Sequence, residues 1–465
     1  MRVLALGGAG EMGRVAARVL RADSGVGSLI IADRDERAAR EVAADLDAEA
    51  RGLDVTDGPA LARALRAADL VVNTVGPYFR FGPPILSAAI DAGCDYIDIC
   101  DDPQPTLDML ELDARAKAAG VTALLGMGAS PGIANLLALR AAAELDRVDD
   151  LVTGWNIHSA HPEPPIAGQP TAGPASAGSS ATGRATARQA ATSRTAVGRA
   201  TASQPAAGRT AIGRTAIGRT AIGRTAIGRT ATGPTAAVVH GMRQISGDIP
   251  VTRNGIRTER PALERFRLDY PGLGTGEGRS FGHPEAITLP LAFPGLRAAT
   301  SVVVGDRMTT AALRALRWTI DHRLLTLDRA ASLAARVERL LPADPAKLIA
   351  AGGLPPLFAI ATGLRDGAPA TAATALCQVP GLSMAENTGV PLAVGALLLA
   401  ADPKPGVHAP ETLLDPDRFF TAFAPHCIGD PDPNAMTITT RSWSTPETNT
   451  AALSSALLTA LLAAH

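Results

Sequence analysis

The stretch Val3-Leu4-Ala5-Leu6-Gly7-Gly8-Ala9-Gly10-Glu11-Met12-Gly13 decides how this 465-residue chain is read. Four apolar residues form a short buried strand. The turn Gly8-Ala9-Gly10-Glu11-Met12-Gly13 follows, and then Met12, Val15, Ala16, Val19 and Leu20 recur at i, i+3, i+4, i+7 and i+8, the spacing of a helix. In that context Gly8 supplies a tight turn, Gly10 lets the backbone approach a pyrophosphate, and Gly13 lets helix and strand close on each other. The helix N-terminus, with Glu11 and Met12 in its first turn, faces the phosphate charge.

Outward from this turn the other edges of a dinucleotide site fall in register. The second strand ends at Asp33, 20 residues past Gly13, where an acid receives the ribose hydroxyls. A carboxylate there repels a 2′-phosphate and favours NAD over NADP, whereas Arg34 directly after it is suited to clasp that phosphate. Asp54 and Val55 end the expected third strand and reach the adenine. Asn73, Thr74, Val75, Gly76 and Pro77 follow the fourth, at the carboxyl edge where ligands collect, and border the nicotinamide and its ribose.

Short apolar runs alternate with helical spacing along the first 130 residues. Val3–Leu6, Leu29–Ala32, Leu53–Val55, Leu70–Val72, Tyr96–Ile99 and Val121–Leu125 read as strands of a parallel sheet covered on both faces. The expected fold is α/β: a Rossmann doubly wound parallel sheet plus a second mixed α/β domain carrying a disordered low-complexity insert. The expected organisation is residues 1–130 for the nucleotide domain and 131–163 with 237–384 for the second domain. Residues 164–236 form the insert, and 385–465 form a helical segment returning to the nucleotide domain. In the second domain Ala237–Ile245, Phe266–Asp269, Ala286–Leu289 and Ser301–Val304 read as strands. Thr309–Leu364 reads as largely helical, and Gly389–Ala401 and Leu453–Ala464 read as helices.

The insert is mostly Ala, Gly, Thr, Ser, Arg and Pro, with four tandem copies of Ala-Ile-Gly-Arg-Thr from Ala211 to Thr230. Such a segment buries too little apolar surface to offset its ordering entropy. It carries nine arginines and no acid, so the net charge of −1 for the whole chain leaves the remaining 392 residues acidic by ten. Without interleaved aromatics the arginines offer no stacking platform, and no specific nucleic-acid partner is expected. The four cysteines are too few and too scattered for a disulfide scaffold. The longest apolar run, Val390–Ala401, is broken by Pro391 and Gly395 and is 12 residues, short of the roughly 20 a bilayer requires, so no membrane span is expected. With no signal-peptide pattern at the start, a cytoplasmic location is expected.

At this point several motifs resemble the saccharopine dehydrogenase-like oxidoreductases. They are the initial glycine turn, Val71-Val72-Asn73-Thr74-Val75-Gly76-Pro77-Tyr78 and Ala92-Gly93-Cys94-Asp95-Tyr96-Ile97-Asp98. Ser130-Pro131-Gly132-Ile133-Ala134-Asn135, Phe281-Gly282-His283-Pro284-Glu285 and Thr388-Gly389-Val390-Pro391-Leu392-Ala393 continue the pattern. The resemblance implies a Rossmann domain joined to a mixed α/β catalytic domain, a homodimer, and a late helix, here Gly389–Ala401, packed back on the Rossmann core. It implies NAD(P)-dependent oxidoreduction of a small molecule. The expected reaction is at a C–N bond of an amino acid or polyamine-like substrate, with reduction of a C=C bond, as in the enoyl-reductase branch, as the alternative. A nucleotide-binding sensor without turnover is the third reading. The chain departs from the pattern at Cys100-Asp101-Asp102-Pro103 and in the Arg-rich repeat.

An amine substrate requires acids to hold an ammonium and a group to take its proton. Tyr96, Asp98 and Asp101 lie at the carboxyl end of the fifth strand, and alternation puts Tyr96 and Asp98 on one strand face. Asp98 also suits a helix cap or a structural pair. His283 titrates near neutrality and is the second-domain candidate, although a turn-stabilising role fits it as well. No metal is expected: His158 and His161 have no acid or cysteine cluster beside them.

Overall fold

A computed structural model describes residues 1–156, 236–338, 354–381 and 383–463. The first domain runs β1 (Arg2–Leu6), α1 (Glu11–Ala22), β2 (Ser28–Asp33), α2 (Glu36–Asp45), β3 (Glu49–Gly52), α3 (Gly58–Arg66), β4 (Leu70–Asn73), α4 (Tyr78–Ala92) and β5 (Asp95–Asp98). It continues through α5 (Pro103–Leu110), α6 (Asp113–Ala119) and β6 (Thr122–Leu124). All these strands are parallel, in the order β6-β5-β4-β1-β2-β3. Strand order reverses between β1 and β4, which leaves a crevice at their carboxyl ends, where a doubly wound sheet takes its ligand.

The second domain begins with α7 (Ile133–Ala142) and β7 (Arg147–Asn156). It resumes at α8 (Ala236–Gln244), β8 (Asp248–Arg253), β9 (Ile256–Pro261), β10 (Arg265–Tyr270), β11 (Gly274–Ser280), α9 (Glu285–Ala292) and β12 (Ala298–Val304). After α10 (Arg307–Asp321) and α11 (Leu327–Glu338) come β13 (Leu357–Arg365), β14 (Ala368–Leu376) and α12 (Met384–Ala401). The chain ends with β15 (Gly406–His408), α13 (Pro410–Leu413), α14 (Pro416–Phe423), β16 (Thr437–Arg441) and α15 (Pro446–Ala463). The second sheet has the order β10-β11-β12-β7-β13-β14-β16, with β8 and β9 branching from β12. It is mixed: β7 and β12 run parallel, and the other pairs are antiparallel. The last segment serves both sheets, because β15 adds a seventh parallel strand beside β6 while β16 joins β14.

Helix α12 packs on α1, β4 and β5. The approach is close enough that a Cβ on Gly389 would lie 2.6 Å from the Met12 carbonyl oxygen. Of its 18 residues, ten are buried. By length and composition alone α12 could cross a membrane. Its burial against the nucleotide domain instead explains its all-round apolar character, as a core helix has no polar face.

Four expected elements are corrected. The third strand is Glu49–Gly52 rather than Leu53–Val55: it lies at the sheet edge, so its residues are exposed or half-buried and form no apolar run, while Leu53 beyond it fills the core. Ala237–Ile245 is α8, not a strand; its Val238-Val239 pair favours a strand only weakly, and packing against α11 prevails. Ala286–Leu289 lies within α9, where burial on every side erases the helical period. Leu357–Leu364, expected as helix, belongs to β13. The disordered state expected for residues 164–235 and the readings of His158 and His161 lie outside the described residues.

Candidate functional site

The glycine turn is built as a close-approach device, with one change of role. The left-handed residue is Gly7 (φ +70°), not Gly8. Gly7 and Gly8 N–H both donate to the Ala32 carbonyl, and Gly10 N–H donates to Gly7 at 2.9 Å. A Cβ on Gly8 would meet the Ala5 carbonyl at 2.9 Å, and one on Gly13 would lie 2.3 Å from the Gly7 carbonyl oxygen, so the turn and α1 interlock only without those carbons. Gly10 caps α1 with no side chain on the free N–H groups, leaving the positive helix end open to an anion. Glu11 is exposed there and Met12 half-buried. These features fit a pyrophosphate.

The candidate adenosine side lies at the ends of β2 and β3. Asp33 is half-buried, and its Oδ1 accepts from the Asp35 N–H at 3.1 Å. Asp54 accepts from the Thr56 N–H and hydroxyl. Those bonds, with the Arg34 and Arg80 guanidiniums nearby, hold its carboxyl below the usual range. Val55 is half-buried beside it.

The loop after β4 is tied down on both sides. Thr74 Oγ1 donates to the Leu6 and Gly7 carbonyls at 3.0 and 3.1 Å. Buried Asn73 accepts from the Val75 N–H (3.0 Å) and donates from Nδ2 to the Tyr96 hydroxyl (2.9 Å). Val75, Gly76 and Pro77 therefore stand half-exposed at the rim of the crevice.

Tyr96 and Asp98 share one face of β5, but that face is internal. The Tyr96 hydroxyl donates to Asp98 Oδ2 at 2.8 Å, and Asp98 Oδ1 accepts from the Cys100 and Gly126 N–H groups at 3.0 and 2.7 Å. Both residues are fully buried. Burial pushes Asp98 up to about 6 against the pull of those N–H donors. This pair holds the 98–100 and 126 loops in place and does not face the crevice.

Past that pair, two acid–imidazole groups meet above the β5 edge. Asp101, with its side chain 27% exposed, lies with Oδ1 2.7 Å from His240 Nδ1; Gln244 Nε2 donates to the Asp101 carbonyl at 2.7 Å and fixes α8 on the loop. In the second group His283 Nδ1 lies 3.2 Å from both Ser130 Oγ and Glu285 Oε2, and Ser130 donates to Glu285 Oε1 at 2.5 Å. Burial works against both imidazolium ions, but Asp101 raises His240 and Glu285 raises His283, with Asp102 adding to both and Asp101 also to His283. Burial likewise opposes charge on Asp101 and Glu285, and their histidine partners bring both below the ordinary carboxylate range. The walls are aromatic: Tyr78 and Phe79 lie 6.2 and 6.3 Å from His240, and Trp155 and Phe281 lie 6.5 and 5.2 Å from His283.

Asp101 stands close enough to His283 for its carboxylate to favour the imidazolium, behind the larger effect of Glu285. Sequence reasoning missed His240 because 139 residues separate it from Asp101 and no motif surrounds it. Glu285 and Ser130 stand in stretches the sequence singles out, yet their mutual bond is visible only in three dimensions.

A parallel sheet of order 3-2-1-4-5-6, an open glycine-capped helix and an acid closing β2 define a Rossmann domain for NAD or NADP, here joined to a mixed α/β domain. Residues 3–124 match the family model "Saccharopine dehydrogenase NADP binding domain". A trans-acting enoyl reductase of Mycobacterium leprae is 27% identical over 157 residues, covering 32% of this chain and 38% of that protein. A saccharopine dehydrogenase-like oxidoreductase of Rattus norvegicus is 38% identical over 66 residues, 14% of this chain and 15% of the relative. The chain therefore spans well under half the length of these curated relatives. Among solved structures, saccharopine dehydrogenase (L-Glu forming) of Saccharomyces cerevisiae is similar with 16% identity and a TM-score of 0.48, covering 91% of this chain and 96% of that one.

Proposed function

We propose that the chain is an NAD(P)-dependent oxidoreductase acting at a C–N bond of an amino acid or polyamine-like substrate. The observation that carries this reading is the convergence of Asp101 and the Ser130–His283–Glu285 group at the same sheet edge as the open glycine turn. A bound nicotinamide dinucleotide supplies the hydride acceptor or donor. Gly7, Gly10 and the α1 N-terminus hold its diphosphate, Asp33 and Arg34 flank its adenosine sugar, and Val75–Pro77 borders the ring.

Oxidising an amine removes a hydride from carbon and a proton from nitrogen, so the chain must supply an anion for the ammonium and an acceptor for the proton. Asp101 presents the part-exposed carboxylate. His283, oriented by Glu285, is the proton acceptor, and its imidazole returns the proton in the reverse direction. Tyr96 and Asp98 act as positioning residues beneath them.

Enoyl reduction is the second reading, favoured by the 27% identity to a trans-acting enoyl reductase over 157 residues and by the aromatic walls. Following absorbance of both reduced cofactors with lysine, saccharopine and diamines, against unsaturated acyl substrates, separates the two. Turnover only on the acyl set discards the C–N reading, and cofactor binding with no turnover on either set favours the sensor. We also propose a cytoplasmic homodimer, tested by light scattering of the purified chain and by localisation of a tagged copy.

A further inference from the structure

Asp102 and His240 contain two buried polar atoms without hydrogen-bond partners, and those atoms face each other. The His240 side chain is 3% exposed and that of Asp102 is 2% exposed. Neither His240 Nε2 nor Asp102 Oδ2 has a partner, and they stand 3.7 Å apart. Asp102 precedes α5 at the capping position, yet its side chain does not cap the helix. A buried acceptor and a buried ring nitrogen left unbonded each carry a desolvation cost, and native proteins rarely leave such atoms unsatisfied.

The separation is too long for an N–H···O bond, whose heavy atoms approach to about 2.7–3.2 Å. It suits two coordination bonds of about 2.0–2.2 Å meeting at one cation. Asp101 completes the arrangement. Its Oδ1 lies 2.7 Å from Nδ1 on the other side of the ring, so it accepts a hydrogen bond from Nδ1–H and leaves the Nε2 lone pair facing Asp102. Oxygen or nitrogen atoms of Asp101, Asp102 and His240 lie within 4.8 Å of one another. A dication there would also balance two carboxylates at a site where burial makes like charge expensive.

We propose that His240 Nε2 and Asp102 Oδ2 bind a divalent transition-metal ion, with Asp101 orienting the imidazole. The mixed nitrogen and oxygen donors suit Zn²⁺, with Co²⁺ as its spectroscopic substitute. Two protein ligands leave further positions for water or for an oxygen or nitrogen of a substrate. The proposal goes beyond the oxidoreductase reading and is tested without dinucleotide or turnover.

The full chain, stripped by chelator and dialysed, is titrated with Co²⁺ and then with Zn²⁺, following visible absorption, metal stoichiometry and the thermal unfolding midpoint. Expected are one Co²⁺ per chain with a visible band, its displacement by Zn²⁺, and a metal-dependent rise in the midpoint. His240→Gln should abolish the band, Asp102→Asn should weaken binding strongly, and Asp101→Asn should weaken it by about 10-fold or more, as loss of an outer partner does. The stripped variants should keep the far-UV circular dichroism of the stripped parent. If His240→Gln does not fold, Asp102→Asn serves as the second variant, and the parent's stoichiometry is decisive in either case. Absence of stoichiometric uptake by the parent, or uptake undiminished in a folded His240→Gln, overturns the proposal and leaves the cluster an ion pair.

Discussion

Replacing Glu411 by Gln should make the protein more stable at alkaline pH by an amount that grows with pH. Glu411 sits on α13, 6% exposed, where Oε2 accepts from Asn135 Nδ2 at 2.7 Å and Oε1 has no hydrogen-bond partner. Burial pushes its carboxyl from 4.5 up to about 7, with Glu285 adding repulsion. Because the folded state holds this proton more tightly than the unfolded state, the group favours folding at low pH. That contribution is lost as the pH climbs from the unfolded value through the folded one. At about 1.4 kcal/mol per unit the ceiling is about 3 kcal/mol, of which about 2–3 kcal/mol falls between pH 5 and pH 8.

Gln keeps an acceptor for Asn135 and cannot ionise, so Glu411→Gln removes this penalty alone. Urea unfolding can be followed by Trp155 fluorescence, since that ring lies 5.7 Å from Phe281 in the second-domain core. The gap between the variant and the parent should widen in the variant's favour by about 2–3 kcal/mol from pH 5 to pH 8. Asp98, raised to about 6, moves the parent in the same direction, so only the difference between the two curves isolates Glu411. Curves that stay parallel over that range refute the reasoning.

Asp33→Ala should weaken NADH binding and relax discrimination against NADPH; an unchanged ratio of dissociation constants would remove Asp33 from the ribose site. Gly13→Ala places a carbon 2.3 Å from the Gly7 carbonyl, and dinucleotide affinity measured by calorimetry should fall by more than about 10-fold as the turn is forced open. His283→Gln should lower kcat by about 100-fold or more while cofactor affinity changes little; equal losses in both would assign the residue to structure. Deleting residues 164–235 should leave cofactor affinity and the thermal midpoint nearly unchanged, as their composition offers no core; a collapsed midpoint would contradict that.

The strand, glycine turn and helix start are legible within a few residues, because their physics is local. A strand, a bend without β-carbons and a helix end make a phosphate site wherever they occur in succession. Two hairpin turns are local signals of the same kind. Asn254-Gly255 joins β8 to β9 and Asp366-Gly367 joins β13 to β14. Both are two-residue loops with positive φ at each residue, as a primed hairpin turn requires. The second marks Leu357–Leu364 as one arm of a hairpin, a strand rather than a helix. Where apolar residues are buried on most sides, as in Glu285–Leu289 of α9 and Gly389–Ala396 of α12, no period survives to separate helix from strand, and only length and neighbours can decide.

The acid–imidazole groups resist local reading for a different reason. Asp101 and His240, like Ser130 and Glu285, are joined across 139 and 155 residues, so each pair exists only once the second domain closes on the β5 edge. This dependence also explains the placement of the buried Tyr96–Asp98 pair. A site assembled from distant segments needs a rigid floor, and a strand-end carboxylate accepting two N–H groups and a phenol supplies one at a desolvation cost that is visible in its raised pKa.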